Sequence, residues 1–318
     1  MPILKSNYRA PWYFLGNGDL QTILPSNFRK IEGIEYQRER IFTPDQDFLD
    51  LDWAKNGSDR LMIFSHGLEG NSSRHYAKGM IKIFKNAGYD GLAWNCRTCS
   101  GEMNWKPRFY HHGASDDLAC VIDHVLAKNQ YKKIVLVGAS MGGNLVLKYL
   151  GEQKENLNPV IKKAFTISVP CDLETCATHL EKPRYKIYND KFMKALKAKM
   201  LLKSEKFAEI KAEHLPKIKY FRDFDFYYTA PVHGFESPEV FYKTVSSRFY
   251  LPDIQIPSYI LTAQNDPILS KECYPIEIAK KFENIFLELP KQGGHVGFSL
   301  ANSEHTYSEK KALEWAEK

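Results

Sequence analysis

The most constraining stretch of the chain is residues 133–143, where an apolar run, KIVLVG, passes directly into Ala139-Ser140-Met141-Gly142-Gly143 and then into an amphipathic segment ending at Glu152. G-x-S-x-G between a strand and a helix leaves little geometric freedom. The turn is so tight that its serine takes up strained backbone angles, and Gly138 and Gly142 let the neighbouring backbone pass without a clash. Ser140 Oγ is then held above the carboxyl edge of a sheet. The N–H groups of the helix that begins behind it point at the same spot. Ser140 therefore reads as a nucleophile, with a Gly/Ser helix cap as the bland alternative.

The surrounding pattern supplies the sheet. Residues 33–43 and 48–54 alternate apolar and polar positions, which predicts an opening antiparallel pair. Short apolar runs then alternate with amphipathic ones: LMIFS (61–65), a helical run over 74–86, GLAWN (91–95), another over 114–128, and KIVLVG. This βαβ rhythm predicts a parallel sheet with helices on both faces. After a helix over 141–152 and a strand AFTISV (164–169) the rhythm stops for about eighty residues. It resumes at DIQIPSYILTA (253–263), followed by FLELP (286–290) and a terminal helix over 303–318. The expected division is a core made of 1–171 and 252–318, with a helical, basic insertion at 172–251.

The chain of 318 residues is 43% hydrophobic and 26% charged, which suits one large globular domain with an insertion. Met1 to Pro11 lacks the apolar core of a signal peptide, and no apolar run approaches the length of a membrane span, so a cytoplasmic location is expected. Six cysteines are too sparse for a disulfide framework and read as free thiols. Cys96 and Cys99 form one CxxC with no second ligand pair nearby, so no metal site is expected. The net charge of +6 is concentrated in 181–222, which holds thirteen basic residues against five acidic ones.

Partners for Ser140 lie near the end of the chain. SYILTA runs into Gln264-Asn265-Asp266-Pro267, and FLELP runs toward Gly293-Gly294-His295-Val296-Gly297. A serine hydroxyl is a poor nucleophile at neutral pH; it needs an imidazole to take its proton and a carboxylate to orient that imidazole. His295 and Asp266 are the candidates, each just past a strand, in the order serine, acid, histidine. Gly67-Leu68 follows the strand LMIFS, so the backbone N–H groups of Leu68 and Met141 are candidate oxyanion donors. His66 reads as structural, orienting its loop, and the adjacent His111-His112 as a loop feature. No cofactor is required.

Eight stretches together resemble the YheT-like branch of the α/β-hydrolase superfamily over nearly the whole chain: NGDLQTILP (17–25), HGLEGNSSRHY (66–76), NCRTCSGEMN (95–104), RFYHHGASDDL (108–118), GASMGGNLVLKYLGE (138–152), DFDFYYTAPVHGF (223–235), AQNDPIL (263–269) and GGHVGF (293–298). The expected fold is accordingly an α/β-hydrolase fold, a mostly parallel eight-stranded sheet with helices on both faces and a helical lid inserted after the sixth strand. The resemblance implies carboxylester hydrolysis, with relatives acting on medium-chain esters, monoacylglycerols or phospholipids and some transferring acyl groups to alcohols, and it carries the triad onto Ser140, Asp266 and His295. Asp19 stands where the branch has His, and Thr98 where it has Gly.

The leading expectation is thus a serine hydrolase cleaving short- or medium-chain acyl esters or acylglycerol-type lipids through an acyl-enzyme on Ser140. Acyl transfer to an alcohol shares every one of these residues and stays open. A non-catalytic ligand-binding protein on the same scaffold is the third reading, disfavoured because the triad survives. Phe192, Phe207, Tyr220, Phe224 and Tyr227 are candidates for an acyl pocket or for ordinary packing of the lid. The lysines at 194, 197, 199 and 203 around Met193, Leu196, Met200 and Leu201 suit either a solvated amphipathic helix or contact with an anionic membrane surface or substrate. Nucleic acid is not an expected partner, because the basic excess is confined to the insertion and no recognised nucleic-acid motif accompanies it.

Overall fold

The computed structural model describes residues 3–318. Among them, nine strands form one sheet: β1 (Ile3–Leu4), β2 (Gln37–Phe42), β3 (Phe48–Ala54), β4 (Arg60–Ser65), β5 (Asp90–Asn95), β6 (Lys133–Ala139), β7 (Ile161–Ile167), β8 (Ser258–Leu261) and β9 (Ile285–Glu288). Their order across the sheet is β1-β9-β8-β7-β6-β4-β5-β3-β2. β3 runs antiparallel to both β2 and β5, and every other neighbouring pair is parallel. The eight expected strands are β2 to β9. The ninth, β1, is two residues long and pairs with β9 at the edge, too short to leave a periodic signature.

The helices are α1 (Gly18–Phe28), α2 (His75–Asn86), α3 (Ser115–Ala127), α4 (Met141–Gln153), α5 (Leu173–Leu180), α6 (Lys186–Ser204), α7 (Phe221–Phe224), α8 (Ala230–His233), α9 (Pro238–Val245), α10 (Ile276–Lys281) and α11 (Tyr307–Glu317). Successive strand residues point to opposite faces, so the sheet has two cores. Leu61, Ile63, Ile134 and Leu136 pack with Leu118 and Val121 of α3 and Leu145 and Val146 of α4. Met62, Phe64, Val135 and Val137 pack with Met80 and Phe84 of α2 and Ala312 of α11. Covering both faces explains why the central strands read as unbroken apolar runs.

Two boundaries move for local reasons. The terminal helix starts at Tyr307, not at Ser303, because Thr306 and Glu309 form a reciprocal capping box there. Of 253–263 only Ser258–Leu261 is strand; Leu251–Asp253 closes a 3₁₀ turn, and Pro257 offers no N–H to a ladder.

Between β7 and β8 the chain carries α5 to α9, opened by Asp172, whose carboxylate caps α5 at Thr175 N–H (3.2 Å). The reading of α6 as a solvated helix needs correcting. Met193, Leu196 and Met200 are buried, and their spacing brings Lys199 and Lys203 onto the same inward side. Lys203 Nζ donates to the carbonyls of Lys106 (2.5 Å) and Arg108 (3.2 Å), and burial lowers its pKa to about 8. Lys194 stays exposed, as do the apolar side chains of Ile187, Leu201 and Leu202. No helix among the described residues is long and apolar enough to cross a membrane. All six cysteines are free thiols, and no cluster of His, Cys, Asp and Glu among the described residues is arranged to hold a metal ion.

Candidate active site

Ser140 lies between β6 and α4 at φ 53°, ψ −120°, a backbone state that costs strain in any residue with a side chain. The flanking glycines are required by close approach. A Cβ on Gly142 would stand 2.1 Å from the Ser65 carbonyl oxygen, and one on Gly138 would stand 2.4 Å from the Gly142 oxygen. The serine is fixed in turn by its own N–H, which donates to the Ile167 carbonyl (2.8 Å).

β4 lies between β5 and β6, so the chain's direction of travel across the sheet reverses at β4. Loops leaving adjacent strands at such a point diverge and open a crevice at their carboxyl ends. The β4 loop, His66 to Gly70, forms one wall: a Cβ on Gly67 would be 3.2 Å from Ser140 Cβ. Within this loop Gly67 N–H donates to Tyr76 Oη (3.2 Å), Glu69 N–H to Tyr110 Oη (3.1 Å) and Gly70 N–H to the Gly67 carbonyl (2.9 Å). Between them the Leu68 N–H has no protein acceptor among the described residues, and neither has Met141 N–H at the first position of α4. His66 orients the loop: its Nε2 accepts Cys96 N–H (3.0 Å), so Nδ1 carries the proton and donates to the Gly67 carbonyl (2.8 Å). Glu69 ties the loop to the insertion, with Tyr110 Oη on its carboxylate and Lys199 Nζ of α6 3.0 Å from Oε1.

The candidates from the end of the chain converge on Ser140. His295 Nε2 is 2.9 Å from Ser140 Oγ, and His295 Nδ1 is 2.8 Å from Asp266 Oδ2. A carboxylate only accepts, so Nδ1 carries the ring proton and Nε2 presents a lone pair to the serine hydroxyl. The other carboxylate oxygen, Oδ1, accepts the N–H groups of Ile268 (2.9 Å) and Leu269 (3.3 Å), which fixes the plane of the acid. Asp266, His295 and Ser140 thus form a continuous hydrogen-bonded row, with two unpartnered N–H groups on loops beside it.

Two cavities meet at Ser140. One, of about 70 Å³, is walled mainly by apolar side chains of the core and the insertion, among them Leu173, Phe192 and Leu196. The other, of about 390 Å³, passes His295, Tyr76 and Arg74 and is bounded by α1 and α6. Of the five aromatic residues considered for a pocket, Phe192 and Phe224 line the first cavity. Phe207 and Tyr227 pack against the apolar cluster of the insertion, and Tyr220 caps α7.

Residues 60–301 match the family model for the alpha/beta hydrolase fold. YheT of Escherichia coli (strain K12) is 30% identical, with 91% of this chain and 86% of YheT covered. The chain belongs to the α/β-hydrolase family. It is also similar to phospholipase ABHD3 of Homo sapiens, at 29% identity over 93% of this chain and 74% of ABHD3. Among solved structures, the Pyrococcus furiosus esterase Pf2001 superimposes with a TM-score of 0.59 at 19% identity, covering 91% of this chain and 94% of that one. The fold is shared as well with Est1E of Butyrivibrio proteoclasticus in its ferulic acid complex (TM-score 0.57, 15% identity, 89% and 97% covered).

In this α/β hydrolase the N-terminal helix α1 holds the histidine loop, a role that sequence pattern did not assign to it. Gln21 Oε1 accepts Gly293 N–H (2.7 Å) and the Asn265 amide (3.1 Å), and Thr22 Oγ1 accepts His295 N–H (2.8 Å). Gly294 sits at φ 62°, where a Cβ would meet Thr22 Oγ1 at 2.7 Å. Asp19, the departure within this segment, accepts Tyr188 Oη (2.8 Å) and pairs with Arg184, joining α1 to the insertion. Thr98, the second departure, takes a left-handed φ of 66°, and its buried hydroxyl has no partner among the described residues. Thr22→Val removes the acceptor under His295 while preserving shape, so kcat/KM on an ester substrate is expected to fall roughly tenfold, one hydrogen bond's worth, at nearly unchanged melting temperature. Unchanged kcat/KM would show that α1 does not position the histidine.

Proposed function

We propose that the chain is a carboxylic ester hydrolase acting through an acyl-enzyme on Ser140, and the observation that carries this reading is the hydrogen-bonded row Asp266–His295–Ser140. His295 takes the Ser140 proton as Oγ attacks the ester carbonyl, and Asp266 holds the ring tautomer and stabilises the imidazolium. The Leu68 and Met141 N–H groups receive the developing oxyanion; losing one such donor typically raises the barrier by about 3 kcal/mol. His295 returns the proton to the departing alcohol, then activates the water that releases the acid. Residues 172–251 act as a lid over this site. The names of the relatives, phospholipase and monoacylglycerol lipase among them, support an ester or lipid substrate.

The smaller, largely apolar cavity suits the acyl chain, and the wider cavity beside His295 suits the alcohol. About 70 Å³ admits roughly five or six non-hydrogen atoms. Hydrolysis of p-nitrophenyl esters is therefore expected to peak at acyl chains of about four to six carbons. A profile rising steadily to long chains would reject the assignment of the cavity, and no hydrolysis at any length would reject the enzyme. Added ethanol separates transfer from hydrolysis, since a transferase forms the ethyl ester in preference to the free acid.

Lys191 and Lys194 of α6 stand exposed beside the exposed Ile187, and this supports peripheral docking of the lid on an anionic surface. Activity on vesicles containing anionic lipid is expected to exceed that on neutral vesicles, and to lose the difference in high salt. Equal activity on both would end that reading.

A further inference from the structure

The small cavity at Ser140 is not apolar throughout. Asp225 and Thr229 line it together with His112. Asp225 is 7% exposed and opens a π-helical segment, Asp225–Thr229, a wide turn of a kind concentrated at functional sites. Its Oδ2 accepts Tyr242 Oη at 2.7 Å, and burial raises its pKa to about 6, so it is an acceptor at neutral pH. His112 is held through its main chain, where the carbonyl accepts the Asn144 amide (2.9 Å). Neither ring nitrogen of His112 has a protein partner among the described residues, and the residue lines the cavity. Burial keeps the imidazole neutral, leaving it one N–H and one lone pair to offer.

A plain hydrocarbon chain would leave the His112 ring nitrogens without partners and would add nothing to the Tyr242 hydroxyl on Asp225, and an apolar wall would bind it better. Resting on the ester-hydrolase reading, we propose that the cavity recognises an acyl chain bearing a hydroxyl group, which donates to the Asp225 carboxylate or accepts from the His112 imidazole. An acyl chain with a second carboxylate meets repulsion at Asp225. An aldehyde or ketone has no proton to give it, and an ammonium group would leave the His112 N–H without an acceptor and would enter otherwise apolar walls at full charge.

The test compares kcat/KM for p-nitrophenyl esters of straight-chain acids with those of the same acids carrying a hydroxyl, across chain lengths, in the wild type, Asp225→Leu and His112→Phe. The wild type is expected to prefer the hydroxylated ester at least tenfold at its best length. Asp225→Leu is expected to bring the ratio within twofold of unity while still hydrolysing the plain ester, and His112→Phe to reduce it. Preference for the plain ester at every length, or a preference that survives both substitutions, overturns the proposal. If Asp225→Leu does not fold, His112→Phe decides. Calorimetric binding of the methyl esters of the hydroxylated and plain acids to Ser140→Ala reads the subsite without turnover. Selective binding without any hydrolysis by the wild type would remove the enzyme reading and keep the subsite, and equal or absent binding would remove the subsite.

Discussion

Ser140→Ala is expected to lower kcat on any ester substrate by about 10⁶-fold, the scale seen when the nucleophile of a serine–histidine–acid row is removed. The same substitution should abolish labelling by a fluorophosphonate probe, which reacts only with an activated serine. The expectation is this large because the members of such a row act as one unit: without Oγ, neither the lone pair of His295 nor the orientation given by Asp266 has a proton to move. The fold should survive, since the elbow is held by the Ser140 N–H and the glycine contacts and not by its hydroxyl. Melting at an unchanged temperature with labelling lost is the expected pair of results. Labelling that persists in the variant would place the reactive serine elsewhere.

The second large effect is on stability in acid. Burial holds His66 down from its ordinary 6.5 to about 4, and His75 and His112 likewise, with His111 well below the ordinary range. Between pH 6.5 and 4 the unfolded chain therefore binds protons at these rings that the folded chain does not, so stability falls as pH falls through that window. His66 alone accounts for about 3 kcal/mol, and the others act in the same direction. Asp225 opposes them: raised to about 6, it binds a proton in the fold before the unfolded chain does and gives back a comparable amount. Burial raises Asp117 as well and lowers His179 and His233, so six histidines outweigh two aspartates. The urea midpoint is expected to drop steeply from pH 7 to pH 4.5; an equal midpoint at both values would show that these rings are not held neutral.

Which parts of this molecule were legible beforehand follows a physical divide. Ser140, Asp266 and His295 each lie just past the carboxyl end of a strand, and strands announce themselves by apolar runs, so the row could be found by position along the chain. The proposed donor, the Leu68 N–H, could be nominated for the same reason. The anchoring of Gly293 and His295 by Gln21 and Thr22 was not, because it joins segments some 270 residues apart through two polar side chains with no periodic signature. Lys199 and Lys203 misled because a lysine on a helix ordinarily stays in water; the carbonyls of Lys106 and Arg108, the carboxylate of Glu69 and the Cys99 sulfur, contributed by other loops, let them turn inward. Asp225 and His112 belonged to stretches legible as motifs, but the cavity they share is made by three-dimensional packing alone.

The long-range anchoring bears on how the molecule comes into being. Segments near the amino terminus can begin to fold while the rest is still being synthesised. Helix α1 can form early, yet Gln21 and Thr22 have nothing to hold until residues 293–295 have left the ribosome. Until then Ser140 stands without His295 beside it, and on the proposed acyl-enzyme reading a partly made chain would not attack the esters around it. Chemical competence arrives only when the two ends of the core close on each other.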